Sequence, residues 1–293
     1  PGEIDAPAGP GGDESLDSID PFEPAGEAVS ADGTPIALFR LGRALGRPAL
    51  LVHGSAADHT TWRVAGPLLA ADRDVWALDR RGRGASGDTA PYDLEREADD
   101  LVAAIEAIRR ATGERVDVVG HSFGGRVGLE AARLSASLGR LVVYEGAPPT
   151  PDRLADRRRL LRRLETLRRA HVPDVLLGTF LREAVGLTDA ELAAYRSSPV
   201  WPRRVAAAGT LLRELRADVD RPPRPDSFGR IRIPVLQIVG GASPAPFRVA
   251  AAALDGALPE GRLVVIEGAR HAAHHSHPEA FVAAVRRFLD AGR

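Results

Sequence analysis

Val118-Val119-Gly120-His121-Ser122-Phe123-Gly124-Gly125 decides how this chain is read. The residues leading into it, Arg115-Val-Asp-Val-Val-Gly120, form an apolar run of strand type, and Ser122–Ser137 reads as a helix. The pattern G-x-S-x-G at a strand-to-helix junction holds its serine in a strained turn, so the neighbours must be small, as Gly120 and Gly124 are. The hydroxyl then leaves the sheet at a helix N-terminus, where the Phe123 amide and the helix dipole face developing negative charge. The flanking strand and helix set it apart from a Gly-rich turn that merely starts a helix.

Outward from this junction, strands alternate with helices. Pro48-Ala-Leu-Leu-Val-His53, Asp74-Val-Trp-Ala-Leu-Asp79 and Leu141-Val-Val-Tyr-Glu145 read as strands, the first an apolar run buried on both faces. Thr61–Ala70 and Leu94–Ala111 read as helices, and two short strands, Ala28–Ser30 and Pro35–Leu41, flank a turn at Ala31-Asp32-Gly33. The rhythm resumes with Ile231–Val239, Phe247–Leu258, Arg262–Ile266 and Pro278–Leu289. Such alternation predicts an α/β fold, a mostly parallel sheet with helices on both faces. Between residues 150 and 228 no strand is evident. Leu, Ala and Arg dominate there, and residues 153–169 hold eight Arg with Leu160, Leu161, Leu164 and Leu167 on one helical face. A helical insertion after a strand's carboxyl end lies over the ligand crevice, so this segment is expected to be a lid. The division is therefore 1–25, a Gly/Pro/acid-rich tail; 26–149 and 229–293, the α/β core; and 150–228, the lid.

Two further groups carry chemistry. His53-Gly54-Ser55 directly follows a buried strand, and the sharp turn can aim amides at the same oxyanion as Phe123. The Ser55 N–H is the expected second donor, with Ala56 the alternative. The second group is His271, His274, His275 and His277 after the last strand. His271 stands first, on the loop before the final helix, where a base can swing over Ser122. The other three are read as solvent-facing or helix-cap residues. No H-E-x-x-H and no cysteine supports reading the cluster as a zinc site.

The ordered set His53-Gly54, Asp79-Arg-Arg-Gly-Arg-Gly84 with Ser86, the Ser122 turn, a helical lid and His271 resembles the α/β-hydrolase family, from about residue 27 onward. The resemblance implies an eight-stranded sheet and a Ser–His–acid triad. The subgroup it looks most like holds lid-bearing esterases, carbon–carbon bond hydrolases and cofactor-free perhydrolases. The family usually carries its acid in a turn after the strand that follows the lid. Here that turn reads Gly240-Gly-Ala-Ser-Pro-Ala-Pro246, with no carboxylate before Asp255. Some relatives place the acid after the strand that follows the nucleophile's helix, which makes Glu145 the expected acid. A strand-end Glu paired with a nearby Arg is the plainer reading of the same residue.

The resulting expectation is a serine hydrolase. Ser122 attacks an acyl carbonyl, His271 shuttles the proton, Glu145 orients His271, and the Ser55 and Phe123 amides bind the oxyanion. A Ser nucleophile argues against dehalogenation and epoxide opening, which use Asp in relatives. Carbon–carbon cleavage, perhydrolysis and a non-catalytic binder of the same fold stay open. His59, Trp62, Phe180, Tyr195 and Trp201 are expected around the substrate.

Composition bounds the partners. The 293 residues are 44% hydrophobic and 27% charged, with net charge -1. There is no basic excess for nucleic acid and no apolar run long enough to span a membrane. Without cysteine there is no disulfide framework or thiolate nucleophile. Gly82-Arg-Gly84-Ala-Ser-Gly87 spells a dinucleotide fingerprint, but Asp-Thr-Ala-Pro follows it where a helix should begin. The Arg-rich lid helix could draw an anionic substrate or an acyl carrier, or simply be a solvated face. The expectation is a small-molecule acyl substrate, no metal or organic cofactor, no nucleic acid, no membrane, and a homodimer left open. The chain opens on Pro1 rather than Met, as a trimmed chain would, and no intact signal peptide is visible. Its expected location is the cytoplasm.

Overall fold

A computed structural model describes residues 20–44, 46–222 and 225–291. The strands are β1 (Glu23–Val29), β2 (Pro35–Leu41), β3 (Ala49–Val52), β4 (Val75–Leu78), β5 (Val116–His121), β6 (Leu138–Tyr144), β7 (Val235–Gly240) and β8 (Gly261–Ile266). They form one sheet in the order β1-β2-β4-β3-β5-β6-β7-β8. β1 and β2, and β2 and β4, pair antiparallel; all later pairings are parallel. The central strands β3, β4 and β5 are buried at every position. Parallel strands covered by helices on both faces require this.

One face is covered by α2 (Leu94–Thr112), α3 (Phe123–Ala131) and α10 (Ala245–Asp255), through Leu101, Ile105, Ile108, Val127 and Leu254. α1 (Ala65–Ala70) and, after the short α11 (Ala273–Ser276), α12 (Pro278–Leu289) cover the other through Leu69, Phe281, Val285 and Phe288. α2 shows why the chain is helical here. Asp93 caps its N-terminus by accepting from the Arg96 amide, and Gly113 ends it in the left-handed conformation at φ 77°.

Between β6 and β7 lie α4 (Leu154–Arg169), α5 (Pro173–Phe180), α6 (Asp189–Arg196), α7 (Trp201–Ala206), α8 (Leu211–Asp220) and α9 (Pro225–Phe228). Helices α4 to α8 share a core of their own, in which Leu160, Leu161 and Leu164 of α4 meet Leu176, Leu177, Trp201, Leu211 and Leu215. Burying each Leu stabilises by roughly 1.5–3 kcal/mol, and that packing holds α4 despite its like-charged outer face. Arg158, Arg162, Arg168 and Arg169 face solvent. No helix among the described residues is long and apolar enough to cross a membrane.

The N-terminal boundary needs correction. Residues 1–19 lie outside the described residues, but β1 begins at Glu23, inside the stretch read as tail. Phe22 is buried in the core cluster that holds Leu69 of α1. Pro24 and Gly26 disguised the strand. The ladder shifts register between them, a bulge that an edge strand tolerates.

His59 fastens this segment to the core. Its Nδ1–H donates to Asp79 Oδ1 at 2.8 Å and its Nε2–H to Asp20 Oδ2 at 2.7 Å. Its ring stacks on Phe39 at 3.5 Å. Burial alone would lower its pKa, but the bonds to Asp20 and Asp79 outweigh burial and raise it from 6.5 to about 9. A raised pKa contributes stability that is complete below 6.5 and is lost as pH climbs through about 9. Urea midpoints are therefore expected to fall across that interval in the wild type, and less steeply in His59→Gln. Parallel pH profiles for the two proteins would refute the clamp.

Candidate active site

Ser122 sits between β5 and α3 with φ 52° and ψ -124°. A non-glycine residue at positive φ is strained. The surroundings impose it: the Ser122 amide donates to the Tyr144 carbonyl at 2.8 Å, and its carbonyl accepts from the Gly125 and Arg126 amides. α3 approaches β3 so closely that a Cβ on Gly124 would lie 2.4 Å from the Val52 carbonyl oxygen. Gly124→Ala is expected to cost about 1–3 kcal/mol by overpacking. Thermal unfolding indistinguishable from wild type would show that α3 can move.

The turn after β3 lies against Ser122. A Cβ on Gly54 would stand 3.1 Å from the Ser122 Cβ. His53 holds this turn from within: its Nδ1–H donates to the Gly54 carbonyl at 2.9 Å and its Nε2 accepts from the Arg80 amide at 2.9 Å. Burial, with Arg80 and Arg83 nearby, pushes its pKa well down, so the ring is neutral, as the accepting Nε2 requires. Ser55 reaches the cavity. Ala56, at φ 48°, turns into the lid core instead.

Glu145 follows β6, also at positive φ, 46°. Its Oε2 lies 2.6 Å from His271 Nδ1, and its Oε1 accepts from the Gly240 amide at 2.8 Å. Because β6 is flanked by β5 and β7, its end reaches both the Ser122 turn and the turn after β7. The turn that lacks a carboxylate thus supplies an amide to a carboxylate from the next strand. Glu145 is no strand-end partner of an Arg; its carboxylate faces the imidazole.

Three groups missed in the sequence position His271. Tyr144 donates from its hydroxyl to the Arg270 carbonyl and accepts from the Ala273 amide at 2.8 Å, gripping the loop on both sides of His271. Phe247 stacks on the His271 ring at 4.8 Å. His121 Nε2–H donates to the His271 carbonyl at 2.8 Å. The signal for Tyr144 was its place beside Glu145 on an alternating strand, where neighbours point to opposite faces; nothing marked Phe247.

Ser55, Ser122, Phe123, Glu145 and His271 open on one cavity of about 360 Å³ between the sheet's carboxyl edge and the lid. That is the crevice where open α/β sheets bind ligands, and the volume suits a small molecule. Phe180 lines it from α5. His59, Trp62 and Trp201 do not. His59 is spent on its two carboxylates. Trp62 is wholly buried on the far side against His274 and Phe281. Trp201 belongs to the lid core, its Nε1–H donating to Asp174 at 2.7 Å, with Tyr195 edge-on against it. Aromatic residues near a site in sequence are as readily claimed by packing. His274, read as solvent-facing or capping, is buried among His121, Trp62 and Phe281, and burial pushes its pKa well down.

The Asp79–Gly87 loop is structural. Arg80 pairs with Glu97 and Glu214, Arg81 with Asp100, and Arg83 with both glutamates, all deeply buried. Its glycines open no helix; the next one, α2, starts at Leu94.

Comparison with known proteins agrees with this architecture. The model of the alpha/beta hydrolase family matches residues 49–284. The pimeloyl-[acyl-carrier protein] methyl ester esterase of Neisseria meningitidis serogroup B is 28% identical over 267 residues, spanning 83% of this chain and 92% of its own. An alpha/beta hydrolase from Sphaerobacter thermophilus has a TM-score of 0.76 at 32% identity, over 90% of this chain and 99% of that one. A thermophilic esterase from Thermogutta terrifontis shares the fold, with a TM-score of 0.69 at 24% identity over 91% of this chain and 98% of its own. With this sheet order, a strained serine after β5 and a family match over most of its length, the chain belongs to the alpha/beta hydrolase family.

Proposed function

We propose that this protein is a serine hydrolase that cleaves a carboxylic ester through an acyl-enzyme. One observation carries the reading: a strained Ser122 and a Glu145-bound His271 face the same cavity. Glu145 keeps the proton on His271 Nδ1, so Nε2 is free to take the Ser122 proton as the oxygen attacks the carbonyl. The oxyanion is met by the Phe123 and Ser55 amides, with the N-terminus of α3 behind the first. His271 then protonates the leaving alcohol, and water repeats the sequence to release the acid. The Neisseria relative is named for methyl ester hydrolysis, which supports an ester as the substrate class.

A fluorophosphonate probe tests this directly. Labelling is expected at Ser122, together with turnover of simple acyl esters. Unlabelled protein that binds esters without cleaving them would mean a binding protein on this fold. EDTA is expected to change neither labelling nor rate, because amides and an imidazole do the work. Activity lost to EDTA and restored by zinc would transfer the role to the His271–His277 cluster.

A further inference from the structure

The cavity has a polar end that the acyl-transfer residues do not use. Arg126 lies one helical turn past Ser122 on α3, its amide bonded to the Ser122 carbonyl at 3.2 Å. Across from it, Glu214 and Asp218 stand four residues apart on α8 and so share a face. All three side chains line the cavity, yet they are 4%, 2% and 4% exposed. Each keeps one fully buried polar atom without a hydrogen-bond partner: Arg126 Nε, Glu214 Oε2 and Asp218 Oδ1. Buried polar atoms are seldom left so.

Each side chain is held through another atom. Arg126 donates to Glu130, Glu214 Oε1 accepts from Arg80 and Arg83, and Asp218 Oδ2 accepts from Arg157 at 3.3 Å. Arg126 Nε is 3.9 Å from Asp218 Oδ1, too far for a direct bond and suited to a small group set between them. Burial raises the Asp218 pKa despite Arg157 and Arg126, as for a carboxylate short of donors. Each surrounding charge already has a partner. Arg80, Arg83, Arg126 and Arg157 face Glu97, Glu130, Glu214 and Asp218. A charged ligand group would stand unpaired there, at high cost.

Resting on the esterase reading, we propose that Arg126, Glu214 and Asp218 form a specificity subsite for an ester bearing a neutral hydroxyl or carboxamide a few atoms from its carbonyl. Such a group accepts from Arg126 Nε and donates to Asp218 Oδ1 or Glu214 Oε2. Leu160, Phe180, Val185 and Leu215 enclose the apolar chain between.

Matched esters test this, differing only in a terminal hydroxyl or a terminal methyl. One series varies chain length on the acyl side, the other on the alcohol side. In at least one series the hydroxyl ester is expected to exceed its partner in kcat/KM by about tenfold or more, as for one hydrogen bond to a charged group. Terminal carboxylate and ammonium esters should fall below the methyl ester. Asp218→Leu should bring the hydroxyl-to-methyl ratio near one, and Asp218→Asn, which keeps one acceptor, should retain part of it. The ratio is read within each variant, and Ser122 labelling checks that the variant is folded. If esters are cleaved and Ser122 labels, but neither series shows the preference, the subsite is wrong and the esterase reading stands. A preference for a charged terminus, or a ratio undiminished in both Asp218 variants, also overturns it. If wild-type Ser122 does not label and no ester is cleaved, the esterase reading fails and the subsite falls with it.

Discussion

Ser122→Ala is expected to leave a folded protein whose ester turnover has dropped by roughly 10⁴–10⁶. The size of the loss follows from what is removed. On the proposed mechanism, without the hydroxyl there is no nucleophile for His271 to deprotonate, and any residual rate comes from the Phe123 and Ser55 amides holding a carbonyl near water. Stability should change little. The Ser122 side chain makes no capping bond to α3, and the strain at φ 52° falls on any residue with a Cβ. A change within about 0.5 kcal/mol is expected by chemical denaturation. Retained turnover in a protein that no longer takes up the fluorophosphonate probe would refute the mechanism.

What could be read from the sequence divides along physical lines. The sheet was legible because buried parallel strands are continuous apolar runs such as Leu50–Val52 and Val118–Val119, and its helices carry their own periodicity. The Ser122 turn was legible because its geometry excludes all but small residues at Gly120 and Gly124. Glu145 was reached only through the family resemblance and the missing carboxylate after Val239. Its second bond, to the Gly240 amide, depends on two strands adjacent in space but far apart in sequence. Long-range pairing also hid the fates of His59 and Trp62. Both follow the turn after β3, but Asp20, Asp79 and Phe281 claim them from elsewhere in the chain. β1 escaped because Pro24 and Gly26 look like tail composition. The polar end of the cavity had no local signature at all, since Arg126 on α3 and Glu214 and Asp218 on α8 are far apart in sequence and meet only in the folded chain.

Glu145→Gln is the second large effect, and the hydrogen bonds around the carboxylate decide its direction. In the wild type, Oε1 accepts from the Gly240 amide and Oε2 faces His271 Nδ1. A glutamine has one oxygen and one amino group to fill these places. The Gly240 amide can only donate, so the oxygen must turn to it. The amino group then faces His271 Nδ1, which must accept. The ring proton moves to Nε2, the nitrogen that should be bare to receive the Ser122 proton. Shape and packing survive, but the base is presented in the wrong tautomer, and the positive imidazolium loses its counter-charge. A fall of roughly 10³–10⁴ in turnover is expected, the scale seen when an orienting acid becomes an amide. Fluorophosphonate labelling should slow with it. The comparison is Asp255→Asn. Asp255 ends α10 and accepts from Gln237 Nε2 at 3.3 Å, without touching the imidazole, so its amide should be nearly silent. Turnover lost in Asp255→Asn and kept in Glu145→Gln would move the acid to α10; turnover kept in both would leave His271 without an orienting partner and remove the triad from the mechanism.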